Sequence, residues 1–546
     1  MALSSQALSR FSQFNLNEDD QTEFSSGANS IALRTKHRSV LSDLTNKTQN
    51  SSYQPGTHPQ DELEDARPAV ERFLSSLQDS SDVDVAKNIK ELSHLVLEYK
   101  SLYSEPFLQL NGIDLLLLRI KDTDNSRLIT SALILFSNLI ESNHEVGLAI
   151  SSSGLLTQIS DYLTWNDQSI TKECFFCLGN IAAESIDLVD QIVLNTTLYP
   201  KLVPFLRTDS PYLLEALFLF VNLSRLNREY PPFMELLPPL TDILSQCCTE
   251  LWVDFCINAP ETVGMNPLAD CLRTLARLMQ HNPPVFAALH NRQTLNDIHQ
   301  ILSASFPNHI VIPAIALLTS MLSCDAVDED VIEAFVCELL NIGVYTSVER
   351  CYNQCIDQIC RFRETDTKYS IETYDEIQSL ISRILLFFTT SCINDNMRQF
   401  FVECRVVSNF ERYLLFATPK NLLELHRLLD TLVDDDDVLI ALVEQCDIAF
   451  LFFRFLTFPS RNLSLYETIQ LFHRFLTVIL SRVQLDDPSS PNPVYTQFCH
   501  KIKQIGLMEI LHQKEAHTNG RTAAMLNDVL VKLNALQEED GDHPFS

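Results

Sequence analysis

One asparagine recurs three times at an interval of 42 residues, as Asn138, Asn180 and Asn222. Each lies in a segment whose apolar residues return every three or four positions, which is the spacing of an amphipathic helix. In the segment ECFFCLGNIAAES around Asn180, one helical face is apolar and the other is mixed. The mixed face carries Glu173, Phe176, Asn180 and Glu184. The chain is therefore built, at least in part, from repeated helical units.

The mixed face returns one interval on either side of Asn180. It reappears with Glu215 and Phe218 before Asn222, and more weakly with Ile134 before Asn138. A period of 42 residues is the armadillo or HEAT length, and such units bury their apolar faces only by stacking on their neighbours. The period breaks at residues 250–267, where we expect an insertion in the fifth repeat. We predict an all-α solenoid of about ten armadillo repeats over residues 68–537, with a flexible arm at 1–67 and an acidic tail at 538–546.

The composition excludes several classes of function. A formal net charge of −31 and a pI near 4.7 argue against direct nucleic-acid binding, which needs a basic surface, and favour basic partners. The chain has only 11 glycines, and no phosphate-binding loop motif occurs in it. The longest apolar run, residues 310–322, is shorter than the roughly 20 residues of a membrane span, and the amino terminus has no signal-peptide pattern.

The cysteines indicate core packing rather than chemistry. All 15 lie in a chain without an export signal, so we interpret them as reduced thiols. Cys174 and Cys177 form a CxxC, but no second pair of ligands lies at zinc spacing, and buried thiols are the favoured interpretation. No nucleophile, base and orienting group share a recognisable motif. We expect no metal, no cofactor and no enzymatic activity.

Four segments carry a resemblance to the importin-α family, nuclear transport adaptors built from armadillo repeats. ECFFCLGNIAAES is similar to the family's third repeat, FVNLSRLNREYPPFMELLPPL to its fourth, and KIKQIGLMEILHQKEA to its closing repeat. IALRTKHR, at residues 31–38, resembles the basic core of the family's importin-β-binding arm. The resemblance implies a right-handed superhelix that binds basic nuclear localisation signals of cargo proteins in its groove. It also implies importin-β and a cargo-recycling exportin as partners, and a location in both cytoplasm and nucleus.

The resemblance also implies site residues, and the chemistry of asparagine fits the role. An amide offers both a donor and an acceptor, so a ladder of amides can pair with an extended backbone without reading its side chains. Aromatic rings would hold lysine stems, and carboxylates would hold their ammonium groups. The implied peptide-binding residues are Asn138, Asn180, Asn222, Phe176, Phe218, Glu184, Glu173, Glu215 and Ile134. The implied importin-β-binding residues are Ile31, Leu33, Arg34, Lys36 and Arg38.

The chain departs from the family pattern at the positions where the family has tryptophan. Ile134, Phe176 and Phe218 stand there, and these side chains offer a cation a smaller aromatic face or none. The residues that match the family's second pocket, in the seventh and eighth repeats, are Gln354, Gln358, Ile384 and Phe388. That pocket is not expected to function.

Two alternatives remain open on the sequence alone. The asparagines can instead bond to neighbouring turns, and the phenylalanines can instead be ordinary core residues. The alternative function is that of a divergent armadillo scaffold, which joins other proteins through its acidic surface and does not bind nuclear signals.

Overall fold

A computed structural model describes residues 66–79, 81–225, 231–258, 266–364, 371–392, 394–404, 406–433, 435–457, 464–483 and 493–541. These residues form helices joined by short turns, and no strand occurs among them. They fall into two compact units, one ending at Thr294 and the other beginning at Leu295. The implied importin-β-binding residues, Ile31, Leu33, Arg34, Lys36 and Arg38, lie outside the described residues.

The first unit consists of short and long helices in a regular order. Its helices are α1 (Ala66–Asp79), α2 (Asp82–Tyr99), α3 (Ser101–Gln109), α4 (Gly112–Lys121), α5 (Ser126–Ser142), α6 (His144–Ser152), α7 (Leu155–Tyr162), α8 (Gln168–Glu184), α9 (Ile186–Val193), α10 (Tyr199–Leu202), α11 (Leu213–Leu223), α12 (Leu237–Cys247), α13 (Glu250–Asn258), α14 (Pro267–His281) and α15 (Pro284–Leu289). Two 3₁₀ segments, Val203–Phe205 and Pro231–Leu236, precede α11 and α12. Helix α16 (Arg292–Ser303) contains the boundary between the units.

Each full repeat of the first unit has two short helices and a longer third helix. The third helices α2, α5, α8, α11 and α14 contact one another in sequence, so each is packed between its two neighbours. Asp167 begins α8 by accepting hydrogen bonds from the backbone N–H groups of Ser169 and Ile170. The Asp167 carboxylate also accepts a 2.6 Å hydrogen bond from Ser126 Oγ, at the start of α5. Asp167 therefore both caps the start of α8 and joins α8 to the preceding repeat.

The second unit continues the same arrangement. Its helices are α17 (Asn308–Leu322), α18 (Glu329–Ile342), α19 (Val344–Glu364), α20 (Ile371–Ser391), α21 (Asp395–Glu403), α22 (Phe410–Leu414), α23 (Pro419–Leu432), α24 (Asp436–Gln445), α25 (Ile448–Thr457), α26 (Leu465–Val483), α27 (Pro493–Gln504), α28 (Leu507–Glu515) and α29 (Gly520–Gly541), with a 3₁₀ turn at Val407–Asn409. The third helices here are α17, α20, α23, α26 and α29, and each contacts the next.

The predicted all-α solenoid is confirmed, and the described residues contain ten third helices in all. Helix α1 begins at Ala66, two residues before the predicted start of the repeats, and α29 runs to Gly541, beyond the predicted end. The segment interpreted as an insertion contains α13, which packs against α12. Among the described residues, no single helix has the length and apolarity of a membrane span, and one bent pair, Glu329–Ile342 with Val344–Arg361, has them only in combination.

Gln354 and Gln358, which the resemblance matches to the family's second pocket, lie on α19. Helix α19 is a second helix, and α20 is the third helix that packs between α17 and α23. Ile384 and Phe388 do lie on α20, and both are fully buried.

The thiols of the CxxC lie in the core between repeats. Cys174 and Cys177 are both fully buried, and burial raises the pKa of Cys174 well above its usual value. Since the thiolate is the reactive form, we expect neither thiol to react with iodoacetamide at about pH 8 in the native protein. Both should react once the chain is unfolded, and the half-buried Cys337 and Cys360 serve as internal comparisons. Rapid native-state alkylation of Cys174 or Cys177, measured by peptide mass spectrometry, would contradict this placement.

Candidate functional site

The three repeated asparagines lie at the contacts between successive third helices. Asn138 Nδ2 donates to Ser93 Oγ at 2.6 Å and to the Ser93 carbonyl at 3.4 Å, across from α5 to α2. Asn180 Nδ2 donates to the Ser137 carbonyl at 3.3 Å. Asn222 Nδ2 donates to the carbonyls of Gly179 and Phe218, at 3.1 and 3.2 Å. Each amide therefore ties its helix to the backbone of the preceding repeat, and we call this set the amide ladder.

The ladder continues past the insertion with a different residue. Arg277, on α14, donates from Nη1 to the carbonyl of Val221, the residue that precedes Asn222. Asn180 and Asn222 use the equivalent acceptor. Each donates to the carbonyl of the residue that precedes the asparagine of the previous repeat. Asn138 and Asn222 are 3% and 8% exposed, and Arg277 is 8% exposed. The ladder position is thus a largely buried link between helices in four successive repeats.

Gly179 and Phe218 set how closely α8 and α11 approach. A β-carbon added to Gly179 would lie 2.6 Å from Phe218 Cδ1, well inside van der Waals contact. The Phe218 ring is 3% exposed, and its centroid lies 5.9 Å from that of the half-buried Phe176. Phe218 is therefore a core residue packed on the bare backbone of the preceding helix. The close approach also brings the Gly179 carbonyl within reach of Asn222.

A cation of the chain itself occupies the neighbourhood of the predicted lysine slot. Lys172 Nζ lies 5.9 Å from the centroid of the Phe176 ring and 2.9 Å from Glu215 Oε1. The Glu215 side chain is 8% exposed, whereas that of Lys172 is 52% exposed. An aromatic ring with a carboxylate beyond it is the arrangement expected to hold the lysine of a bound peptide, and Lys172 occupies it intramolecularly.

The remaining predicted carboxylates are close to the same surface. Glu173 is buried on α8, and Glu184 ends that helix half-buried. Glu184 Oε1 lies 2.9 Å from His144 Nδ1. Nearby, Arg225 donates to the Ala183 carbonyl at 2.5 Å; its burial lowers the pKa of the guanidinium, and the negative charge of Glu184 partly opposes that shift. Glu184 therefore has interaction partners within the chain itself.

The structure brings most of the predicted peptide-binding residues together on α8 and α11. Asn180, Glu173, Phe176, Phe218 and Glu215 lie there within one contact zone, and Glu184 lies at its end. Asn138 and the half-buried Ile134 lie one helix earlier, on α5. The amides bond to carbonyls within the preceding helix, whereas the alternative interpretation places their partners in neighbouring turns. Peptide binding by these residues stays a prediction.

Sequence reasoning overlooked three residues that complete the site: Lys172, Gly179 and Arg277. Lys172 stands four residues before Phe176, which is the spacing of neighbours on one helical face. Arg277 stands 55 residues after Asn222, which is the repeat interval extended by the insertion. Both signals were present in the sequence. The role of Gly179 was not visible, because the side chain that approaches it comes from another repeat.

Comparisons with known proteins support the fold. No family model matches the chain, and no curated protein matches it. The crystal structure of an engineered protein superposes with a TM-score of 0.56 at 15% identity, covering 85% of this chain and 99% of that chain. A designed armadillo repeat protein in complex with the peptide (KR)4 gives a TM-score of 0.38 at 15% identity, covering 46% of this chain and 99% of its own. The chain is an all-α, armadillo-type solenoid.

Proposed function

We propose that this chain is a non-catalytic armadillo-type scaffold, which binds extended segments of other proteins on exposed polar faces of its helices. It does not capture basic signal peptides through the amide ladder. Stacked repeats present long rows of side chains, and an extended segment is the partner shape that such rows fit.

One observation carries this proposal: the groups that would bind a basic peptide are used within the chain. The Nδ2 atoms of Asn138, Asn180 and Asn222 all donate to carbonyls of the preceding helix. Lys172 occupies the ring and carboxylate that would hold a peptide lysine. An incoming peptide would have to displace these contacts, and each new backbone hydrogen bond would contribute only about 0.5–1.5 kcal/mol in return.

A peptide titration tests the proposal. We expect a fluorescein-labelled, lysine-rich peptide to bind the full chain only weakly, with a Kd above about 0.1 mM at about 0.15 M salt. Asn180→Ala combined with Asn222→Ala should leave that weak binding unchanged. The measurement is fluorescence anisotropy, with helicity checked by circular dichroism.

The opposite result would show that the amide ladder binds basic peptides. Micromolar binding of the lysine-rich peptide, lost in the Asn180→Ala/Asn222→Ala variant while helicity is retained, would contradict the scaffold proposal. Repeating the titration at about 0.5 M salt serves as the charge control, because an acidic chain attracts any cationic peptide at low salt and added salt screens that attraction.

A second candidate is a nuclear-import adaptor that links basic cargo to importin-β and moves between cytoplasm and nucleus. The observation that favours it is Asn180 itself. It is half-buried and makes a single 3.3 Å hydrogen bond, which makes it the most readily displaced member of the ladder. Its segment is also one of the four that resemble importin-α. Under this candidate the titration gives the strong, ladder-dependent binding described above.

A further inference from the structure

A polar cleft lies on the second unit, beside the second helix α19. It has a volume of about 480 Å³ and is bounded by α19, the end of α16 and the start of α17. The turn at Ser303–Phe306 forms one side of the cleft. The opposite side is a single face of the 21-residue helix α19, and much of that face is exposed.

The α19 face carries two cations with two amides between them. Its exposed residues in the cleft are Arg350, Gln354, Gln358 and Arg361, together with Asp357. At 100° per residue, the two arginines and the two glutamines lie within about 80° of one another around the helix, and Asp357 adjoins them. At 1.5 Å per residue, the two arginines are about 16 Å apart along it. The row is therefore continuous and as long as a short peptide.

The electrostatic balance of the cleft is positive, in contrast to that of the whole chain. The carboxylate of Asp357, which also lines the cleft, lies 2.8 Å from Arg412 Nη2. Helix α17 enters the cleft with its N-terminal end, and its first turn contains no acidic residue. The positive end of that helix dipole adds to the two arginine charges. His299 lies close by, and its pKa is lowered by burial and by the charge of Arg350.

These features define the chemistry of a partner. Arginine pairs with carboxylates, and a glutamine amide can pair with both the N–H and the C=O of an extended backbone. Because an extended chain rises about 3.3 Å per residue and alternate side chains share one side, carboxylates four residues apart face the same way and lie about 13 Å apart, and the long glutamate and arginine side chains cover the remaining distance. Gln354 and Gln358 are about 6 Å apart, close to the two-residue repeat of such a chain.

We propose that the α19 cleft binds an extended acidic peptide segment of a partner protein. Two carboxylates pair with Arg350 and Arg361, and the backbone between them pairs with Gln354 and Gln358. This inference rests on the proposed scaffold function and names the partner chemistry for one of its faces. A basic peptide would meet like charge here, so the cleft selects against the ligand that the sequence resemblance implied.

A titration with a defined probe tests the cleft. The probe is a fluorescein-labelled peptide of about twelve serine and threonine residues with two glutamates four residues apart, so that both lie on the same side of the extended chain. We expect saturable binding to the full chain at about 0.15 M salt. Arg350→Glu combined with Arg361→Glu should weaken the binding about tenfold or more, since attraction becomes repulsion at both ends. Gln354→Ala combined with Gln358→Ala should weaken it several-fold without changing any charge.

Matched controls separate the cleft from general charge effects. Lys90→Glu combined with Arg127→Glu alters the net charge by the same amount at two exposed positions on α2 and α5, and should change the affinity less than about twofold. Equal weakening by both double charge variants would overturn the proposal, as would no binding by the wild-type chain. Equally tight binding of an oligonucleotide with the same charge would overturn the assignment to peptides.

The outcomes also separate this inference from the scaffold proposal. If neither the acidic nor the lysine-rich peptide binds, the cleft assignment fails and the scaffold proposal stands. If the lysine-rich peptide binds through Asn180 and Asn222, the scaffold proposal fails, and the charge-reversal variants still decide the cleft.

Discussion

Replacing Gly179 by valine should lower the free energy of unfolding by about 3 kcal/mol. The Phe218 ring packs directly on the Gly179 backbone, so any side chain at position 179 must push α11 away from α8. Phe218 is 3% exposed, so its ring has little freedom to move aside. Separating the helices would also lengthen the hydrogen bond from Asn222 to the Gly179 carbonyl. Urea denaturation followed by circular dichroism measures the change.

A double-mutant cycle shows whether the contact with Phe218 is the cause. Phe218→Ala alone should cost about 3–5 kcal/mol, because it leaves a cavity between the repeats. Valine at position 179 should partly fill that cavity, so the two changes together should cost clearly less than their sum. Strict additivity would mean that Gly179 is destabilising for a reason other than this contact.

Replacing Lys172 by alanine should lower the free energy of unfolding by about 2–3 kcal/mol. Its partner Glu215 is largely buried, and loss of the ammonium group leaves that carboxylate without its 2.9 Å ion pair. Breaking a fully buried pair costs about 3–5 kcal/mol, and the half-exposed Lys172 side chain reduces that figure. Thermal or urea unfolding at neutral pH measures the loss.

Glu215→Gln provides the control for this pair. In the Lys172→Ala background it removes the uncompensated charge, so the double variant should regain part of the lost stability. If Lys172→Ala were neutral, or if Glu215→Gln failed to restore any stability, Lys172 would be an ordinary surface residue. The ring and carboxylate would then be available to a ligand.

The fold was largely predictable because repetition is a strong signal in sequence. The interval between Asn138, Asn180 and Asn222 indicates the stacking of third helices, and the residues of α14 that follow the insertion continue the pattern. The second unit was harder to assign. There the asparagines stop, and a second helix as long as α19 has the same periodicity as a third helix, so periodicity alone does not tell the two kinds of helix apart.

The sequence predicted which residues form the site, but not which groups these residues contact. Sequence spacing places Asn180, Phe176 and Glu173 on one helical face, and the structure agrees. Whether an amide meets a peptide or a neighbouring carbonyl depends on the distance between two helices. Here Gly179 and Phe218 set that distance, and they are 39 residues apart in sequence. The spacing of residues within one helix gives no information about the distance from that helix to the next.

The stability of the Asn180→Ala/Asn222→Ala variant shows whether these amides link successive repeats. The control is Asn296→Ala combined with Asn341→Ala, two exposed asparagines on helices, for which alanine should be neutral or slightly stabilising. We expect the Asn180→Ala/Asn222→Ala variant to lose about 1–3 kcal/mol of unfolding free energy relative to this control. Unchanged stability, with loss of affinity for a lysine-rich peptide, would contradict it and show that the amides serve a ligand instead.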